Sequence, residues 1–225
     1  MSAASNRAGI LLMIATTLVF AAQDGISRHL ADEYNTFMVV MVRYWFFAIF
    51  VLTIASRSQG GIRAAARTTQ PLLQIGRGVI LAAEICIAVV GFTLLGLVES
   101  HAVFATYPLI ITALSGPLLG ERVGWRRWAA VSAGFLGMMI ILQPGRGVFD
   151  PVAMIPVVSA SLFAVYGLLT RFAARKDSTA TSFFWTGISG AVVMTIVGLP
   201  SWEWMSPSDW SWMLLLCITG VLGHW

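Results

Sequence analysis

Charge is scarce in this sequence. Only 11% of its 225 residues are Asp, Glu, Lys or Arg, while 58% are hydrophobic; an ordinary soluble domain carries about 25% charged residues. A soluble domain of this size leaves too much area facing water to hide that much apolar surface. The composition therefore excludes a soluble globule and points to lipid as the main solvent. Lysine is almost absent: Lys176 stands alone beside thirteen arginines. The formal charge of +4 forms no basic patch of the kind that binds nucleic acid, because the charges fall between apolar runs, where they act as signals of membrane topology. Cys86 and Cys217 are the two cysteines. Each lies in an apolar run, which excludes a disulfide framework and a thiolate metal site. The sequence also lacks a nucleophile triad, a metal-ligand spacing and a Gly-rich phosphate loop. Gly76-x-Gly78 has no preceding strand and no further glycines in register, so it is no dinucleotide fingerprint. Neither an enzyme nor a cofactor is expected, and ATP-driven or redox chemistry has no residues to carry it.

What is present is a series of apolar runs. A membrane helix needs about 20 mostly apolar residues, and eight segments approach that length: 9–30, 37–55, 78–97, 101–119, 125–142, 151–171, 180–199 and 210–225. The fold class expected is an all-α polytopic membrane protein. The first run has no small-residue cleavage site and reads as a retained span, not a signal peptide. Eleven basic residues (Arg7, Arg57, Arg63, Arg67, Arg77, Arg122, Arg126, Arg127, Arg171, Arg175 and Lys176) fall on the side of the N-terminus, against Arg28 and Arg146 on the other. By the positive-inside rule the N-terminus is cytoplasmic. Trp202, Trp204, Trp210 and Trp212 cluster at the outer ends of the last two spans, and Trp125 and Trp128 at the inner start of the fifth, where indole favours the interface.

The sequence matches itself weakly at an offset of 143. Phe20-Ala21 falls on Phe163-Ala164, Ser27-Arg28 on Thr170-Arg171, Ala31 on Ala174, Thr36 on Thr179 and Ala48 on Ala191. Span one then corresponds to span six, and span two to span seven. A repeat of five helices is odd-numbered, so its two copies enter the membrane from opposite sides, the inverted plan of many secondary transporters. By this count the second copy stops inside its third helix. The last run also ends at Trp225 about 15 residues after Asp209, or roughly 23 Å of helix against a hydrocarbon core of about 30 Å. The expectation is eight helices of an expected ten, hence a C-terminally truncated chain.

Polar groups inside lipid spans are costly, so each is a candidate site. Asp24 and Arg28 lie four apart on span one; Asp24 and Arg43 lie about 9 Å deep at 1.5 Å per residue. An ion pair between them is expected, serving as a structural clasp, an outer gate or a contact for an anionic substrate. Glu84 has no basic neighbour in sequence. Desolvation disfavours a charged carboxyl, so Glu84 is the first choice for a proton-coupling or cavity residue; the alternative is a protonated glutamate bonded to a neighbouring helix. Gln23, Tyr107, Tyr166 and Trp185 are candidates for lining a cavity, since amide and aromatic groups hold planar substrates; the other reading is packing. His101 reads as an ordinary interfacial histidine, and His224 lies deeper in the last span. Pro108 falls mid-span and is expected to kink or break its helix.

The stretch from Glu99 to Gly145 has a central Tyr107-Pro108, a small-residue end Ser115-Gly116-Pro117, Leu-Gly-Glu-Arg from Leu119 to Arg122, and a Gly-rich helix closing on Pro144-Gly145. It resembles the end of an EamA module of the drug/metabolite transporter superfamily. Arg43 early in span two, Arg77-Gly78 at the start of span three and Gly220 to Trp225 are similar to the family as well. The resemblance implies two inverted five-helix modules, residues 1–145 and an incomplete 146–225. It implies a secondary carrier that moves a small molecule, a metabolite or drug-like compound, across the bacterial cytoplasmic membrane by alternating access. Its partners would be the substrate and the lipid bilayer, and a homodimer is one way for a short chain to complete the site. Glu121-Arg122 looks like the family's Gly-Glu pair, with a structural role. The competing readings are an inactive remnant, a membrane scaffold and an intramembrane enzyme, for which only Asp24 with Arg43 approaches the clustered groups required.

Overall fold

In hydrocarbon every backbone N–H and C=O needs an internal partner, which an isolated helix supplies from its own chain. The computed structural model describes residues 3–119, 124–142 and 151–224, and no strand occurs among them. The helices are α1 (Ala3–Glu33), α2 (Thr36–Arg57), the short α3 (Gly61–Ala66), α4 (Pro71–Leu94), α5 (Leu97–Phe104), α6 (Tyr107–Leu119), α7 (Trp125–Leu142), α8 (Met154–Ala173), α9 (Thr179–Gly198) and α10 (Pro207–His224). All eight predicted spans are helical over most of their described residues, the fourth in two pieces. Five stretches of the described residues are long and apolar enough to cross a membrane: Thr36–Arg57, Pro71–Leu94, Leu97–Gly116, Met154–Ala173 and Thr179–Ser201. Large apolar side chains such as Leu18, Ile49, Ile140 and Ile196 stand exposed on the outside of the bundle, as an integral membrane protein requires. The side chains of Arg7, Glu121, Arg122, Arg146 and His224 lie outside the described residues, as do Pro144, Gly145 and the 145/146 boundary.

Helix boundaries follow local chemistry. The Asn35 side chain accepts from the Phe37 N–H at 2.9 Å to start α2, and the Ser178 hydroxyl accepts from the Thr181 N–H at 3.1 Å to start α9; both are N-cap bonds that satisfy an orphan donor. Gly96, at φ +99°, turns the chain from α4 into α5 in a conformation open mainly to glycine. The fourth predicted span is broken. Proline excludes the carbonyl four residues back, which for Pro108 is Phe104, and there α5 ends. Pro108 then sits in the first turn of α6, where its missing N–H costs nothing.

The third predicted span needs correction. Its helix starts at Pro71, and Arg77 is not an interfacial loop residue: it is only 1% exposed. Removing it from the eleven basic residues leaves the charge bias intact.

The core forms where α2 lies on α9 and α4 on both α8 and α9, with α10 against α1 and α2. Small residues make these approaches close, as in membrane helix packing generally. Gly187, Gly190 and Gly198 present α9 to α2, and an added Cβ at Gly198 would lie 2.6 Å from the Phe37 carbonyl oxygen. The Trp45 indole donates to Thr195 at 2.7 Å across the same interface. At one end Trp202 stacks on Trp45 and meets Trp204 and Trp210. There too the Tyr34 hydroxyl donates to Asp209 at 2.7 Å, tying the turn after α1 to α10. Hydrogen bonds from Ser206, Tyr34 and His29 hold the Asp209 carboxyl below its ordinary pKa.

Candidate functional site

Helices α2, α4, α8, α9 and α10 line a partly open cavity of about 200 Å³. Its walls are mostly apolar or aromatic, with Tyr44, Phe47, Tyr166 and Phe183 among them, and two arginines, Arg43 and Arg77, line it with the hydroxyl residues Thr170, Ser182 and Thr186. An apolar pocket with a few convergent polar groups is the usual form of a small-molecule site.

Each arginine is held by neutral partners. Arg43 on α2 donates from Nη1 to Ser27 Oγ and from Nη2 to Gln23 Oε1, both at 3.4 Å. Arg77 on α4 donates from Nε to Thr170 Oγ1 at 3.1 Å and from Nη1 to Gln74 Oε1, and its guanidinium lies 5.2 Å from the centre of the Tyr166 ring, within cation–π range. The pairs Gln23/Ser27 and Tyr166/Thr170 are related by the offset of 143 seen in the sequence. Two arginines from different helices thus rest on corresponding positions of α1 and α8.

Behind Arg77 a polar chain runs to the α8–α9 turn. Gln74 Nε2 donates to Asp177 Oδ2 at 2.7 Å, and Thr68 Oγ1 donates to the same oxygen at 2.6 Å. Desolvation opposes the Asp177 charge, but the bonds from Thr68 and Gln74 outweigh it and hold this carboxyl below its ordinary pKa.

The predicted residues divide. Arg43 and Tyr166 line the cavity, and Gln23 reaches it through Arg43, with its own amide 3.4 Å from the Thr219 carbonyl. Glu84 is buried and is not among the residues of the cavity wall: Ser159 on α8 donates to its Oε1 at 2.8 Å. Tyr107 packs in a ring cluster with Phe104 and Phe163, and the Trp185 indole donates to the Ala66 carbonyl at 3.1 Å. The expected Asp24–Arg43 ion pair is not formed. Asp24 instead meets His101 Nε2 at 3.0 Å, and His101 stacks on Phe92 and bonds the Leu97 carbonyl through Nδ1. Gln23 and Ser27 share one face of α1, whereas Asp24 is turned about 100° from Gln23, toward α5. The roles of Arg77, Gln74 and Asp177 were not visible in the sequence, because Thr170 and Asp177 lie about a hundred residues from Arg77 and Gln74; the one local signal was a polar Gln-x-x-Arg beside an apolar run. Among the described residues no cluster of His, Cys, Asp and Glu could hold a metal ion.

Comparison with known proteins agrees with this architecture. The model of the EamA-like transporter family matches residues 7–143. The chain is 27% identical to an S-adenosylmethionine uptake transporter of Rickettsia conorii, over 96% of this chain and 71% of that one. It is 28% identical to a riboflavin transporter of Vibrio cholerae, over 92% of this chain and 70% of that one. A riboflavin transporter of Rhizobium johnstonii is 29% identical over 83% of this chain and 63% of its own length. No solved structure matches. A family match over more than half of the chain, carried on an all-helical bundle with lipid-suited surfaces, places this integral membrane protein in the EamA-like transporter family.

Proposed function

We propose that this chain is a secondary carrier of a small, ring-bearing metabolite in the bacterial cytoplasmic membrane, with its N-terminus in the cytoplasm. The cavity among α2, α4, α8, α9 and α10 is the substrate site, and its combination of aromatic walls with two arginines is the observation that carries the reading. S-adenosylmethionine and riboflavin, named in the relatives, both contain a fused heteroaromatic ring, which such walls suit. Arg43 and Tyr166 contact substrate, Gln23 positions Arg43, and Glu84 couples a proton from its buried place beside the site. Asp24 and His101 clasp α1 to α5, and Tyr107 and Trp185 support the walls from outside. Residues 1–145 and 146–225 act as two inverted modules that rock about the cavity. The pairing of α4 with α8, echoed by α10 with α1, supports that arrangement, since the offset of 143 exchanges these pairs.

Reconstitution tests the reading. Purified chain in proteoliposomes is supplied with labelled S-adenosylmethionine and labelled riboflavin, with and without a proton gradient. Uptake of at least one that is faster with the gradient and is sharply reduced by Tyr166→Ala is the expected result. Absence of uptake of both by correctly inserted protein rejects the substrate class, and uptake indifferent to Tyr166 rejects the cavity.

A further inference from the structure

Two arginines line one cavity. The carboxylates of Asp177 and Glu84 act on Arg77 and Arg43 only at longer range, and neither arginine forms a direct ion pair among the described residues. The ion pairs there are Arg28–Asp32, His29–Asp209 and His101–Asp24; neither Arg43 nor Arg77 lies within ion-pair distance of a described carboxylate. The neighbouring acids are already engaged: Glu84 with Ser159, Asp24 with His101, and Asp177 with Gln74 and Thr68. Gln74 stands between Asp177 and Arg77 as a neutral spacer. Arg77 is almost wholly buried, and a buried charge held only by hydroxyl, amide and ring is expensive. Arg43 is held still more loosely, by two bonds at 3.4 Å, so its donors can turn to a ligand at small cost. Guanidinium forks match carboxylate and phosphate oxygens in pairs, and the Phe47, Tyr166 and Phe183 rings stand in the same wall.

We propose that the cavity binds a ring-bearing metabolite through an anionic group, a carboxylate or phosphate ester, held between Arg43 and Arg77. This rests on the cavity being the substrate site. It adds a requirement that the ring alone does not satisfy: the charged member of an otherwise matched pair of compounds binds better.

The test uses two such pairs, flavin mononucleotide with riboflavin, and S-adenosylmethionine with its decarboxylated form. Affinities are measured by titration of the full chain in nanodiscs of phosphatidylcholine. In at least one pair the compound bearing the extra anion binds roughly 10- to 100-fold more tightly. Arg43→Gln and Arg77→Gln each bring that ratio close to one, and the lysine variants, which keep charge without the fork, retain part of it. If Arg77→Gln does not fold, Arg43→Gln and the two lysine variants decide. Equal affinities within both pairs, or a ratio unchanged by both glutamine variants, overturn the anion site while leaving a ring-binding carrier intact. Failure of all four compounds to bind overturns the substrate class and the anion assignment together. A ratio that disappears only when phosphatidylglycerol is added to the nanodiscs gives the two arginines to a lipid headgroup and overturns the metabolite assignment.

Discussion

Gly190→Ala converts the close approach of α9 and α2 into a measurable loss. A Cβ at Gly190 would lie within 2.8 Å of three ring carbons of Tyr44, and ordinary carbon contacts fall near about 3.5 Å. A rigid ring has no flexible end to swing aside, and Tyr44 is buried and lines the cavity. The ring or the helix must move, and overpacking of this kind costs about 1–3 kcal/mol. Contact this close takes the upper part of that range, about 2–3 kcal/mol; replacing a mid-helix glycine by alanine returns about 0.5–1 kcal/mol, which leaves a net destabilisation of about 1–2.5 kcal/mol. Gly25→Ala is the control: nothing lies within 4 Å of its Cβ, so the propensity gain stands alone and stability holds or rises slightly. Thermal unfolding in detergent, followed by tryptophan fluorescence, reads both. Tyr44→Ala opens the space that the added methyl group needs, so the double variant is more stable than the sum of the single changes by about 1–2 kcal/mol. Gly190→Ala as stable as the unmodified protein, or strictly additive with Tyr44→Ala, would refute the packing argument. A displaced Tyr44 also intrudes on the cavity, and ligand affinity falls with stability.

Glu84→Gln keeps an oxygen to accept from Ser159 but cannot release a proton; gradient-driven uptake should vanish while substrate exchange continues, and undiminished driven uptake would remove Glu84 from coupling. Asp177, whose folded pKa lies below its ordinary value, stabilises fully above the unfolded pKa and loses that contribution as pH falls through the folded one. Unfolding temperatures measured on acidification should therefore decline less steeply in Asp177→Asn than in the unmodified chain, and parallel declines would show that Asp177 carries none of the acid sensitivity.

The helical plan was legible in the sequence because lipid forces each span to announce itself as an apolar run. The sides of the spans were not. Depth along α1 correctly brings Arg43 level with Asp24, but depth says nothing of azimuth, and a single residue's step around the helix gives Arg43 to Gln23 and Asp24 to His101. Hydropathy placed Arg77 outside the membrane because it scores the residue, whereas Thr170, Gln74 and the Tyr166 ring are what make its burial tolerable. Tyr166 was visible as a polar ring in an apolar helix. Trp185 and Tyr107 looked the same, and only packing separates the wall from its supports. Pro108 did mark the interruption of its span, because the exclusion of a carbonyl four residues back is a local rule.

Gln74 has one carbonyl and one amide, and both are in use. The carbonyl holds Arg77 at the cavity, and the amide holds Asp177 at the turn between α8 and α9. The side chain is short, so it cannot follow Arg77 toward a bound anion and keep its grip on Asp177. A pull on Arg77 therefore reaches the α8–α9 turn through Gln74, and Thr68 is what steadies Asp177 against it.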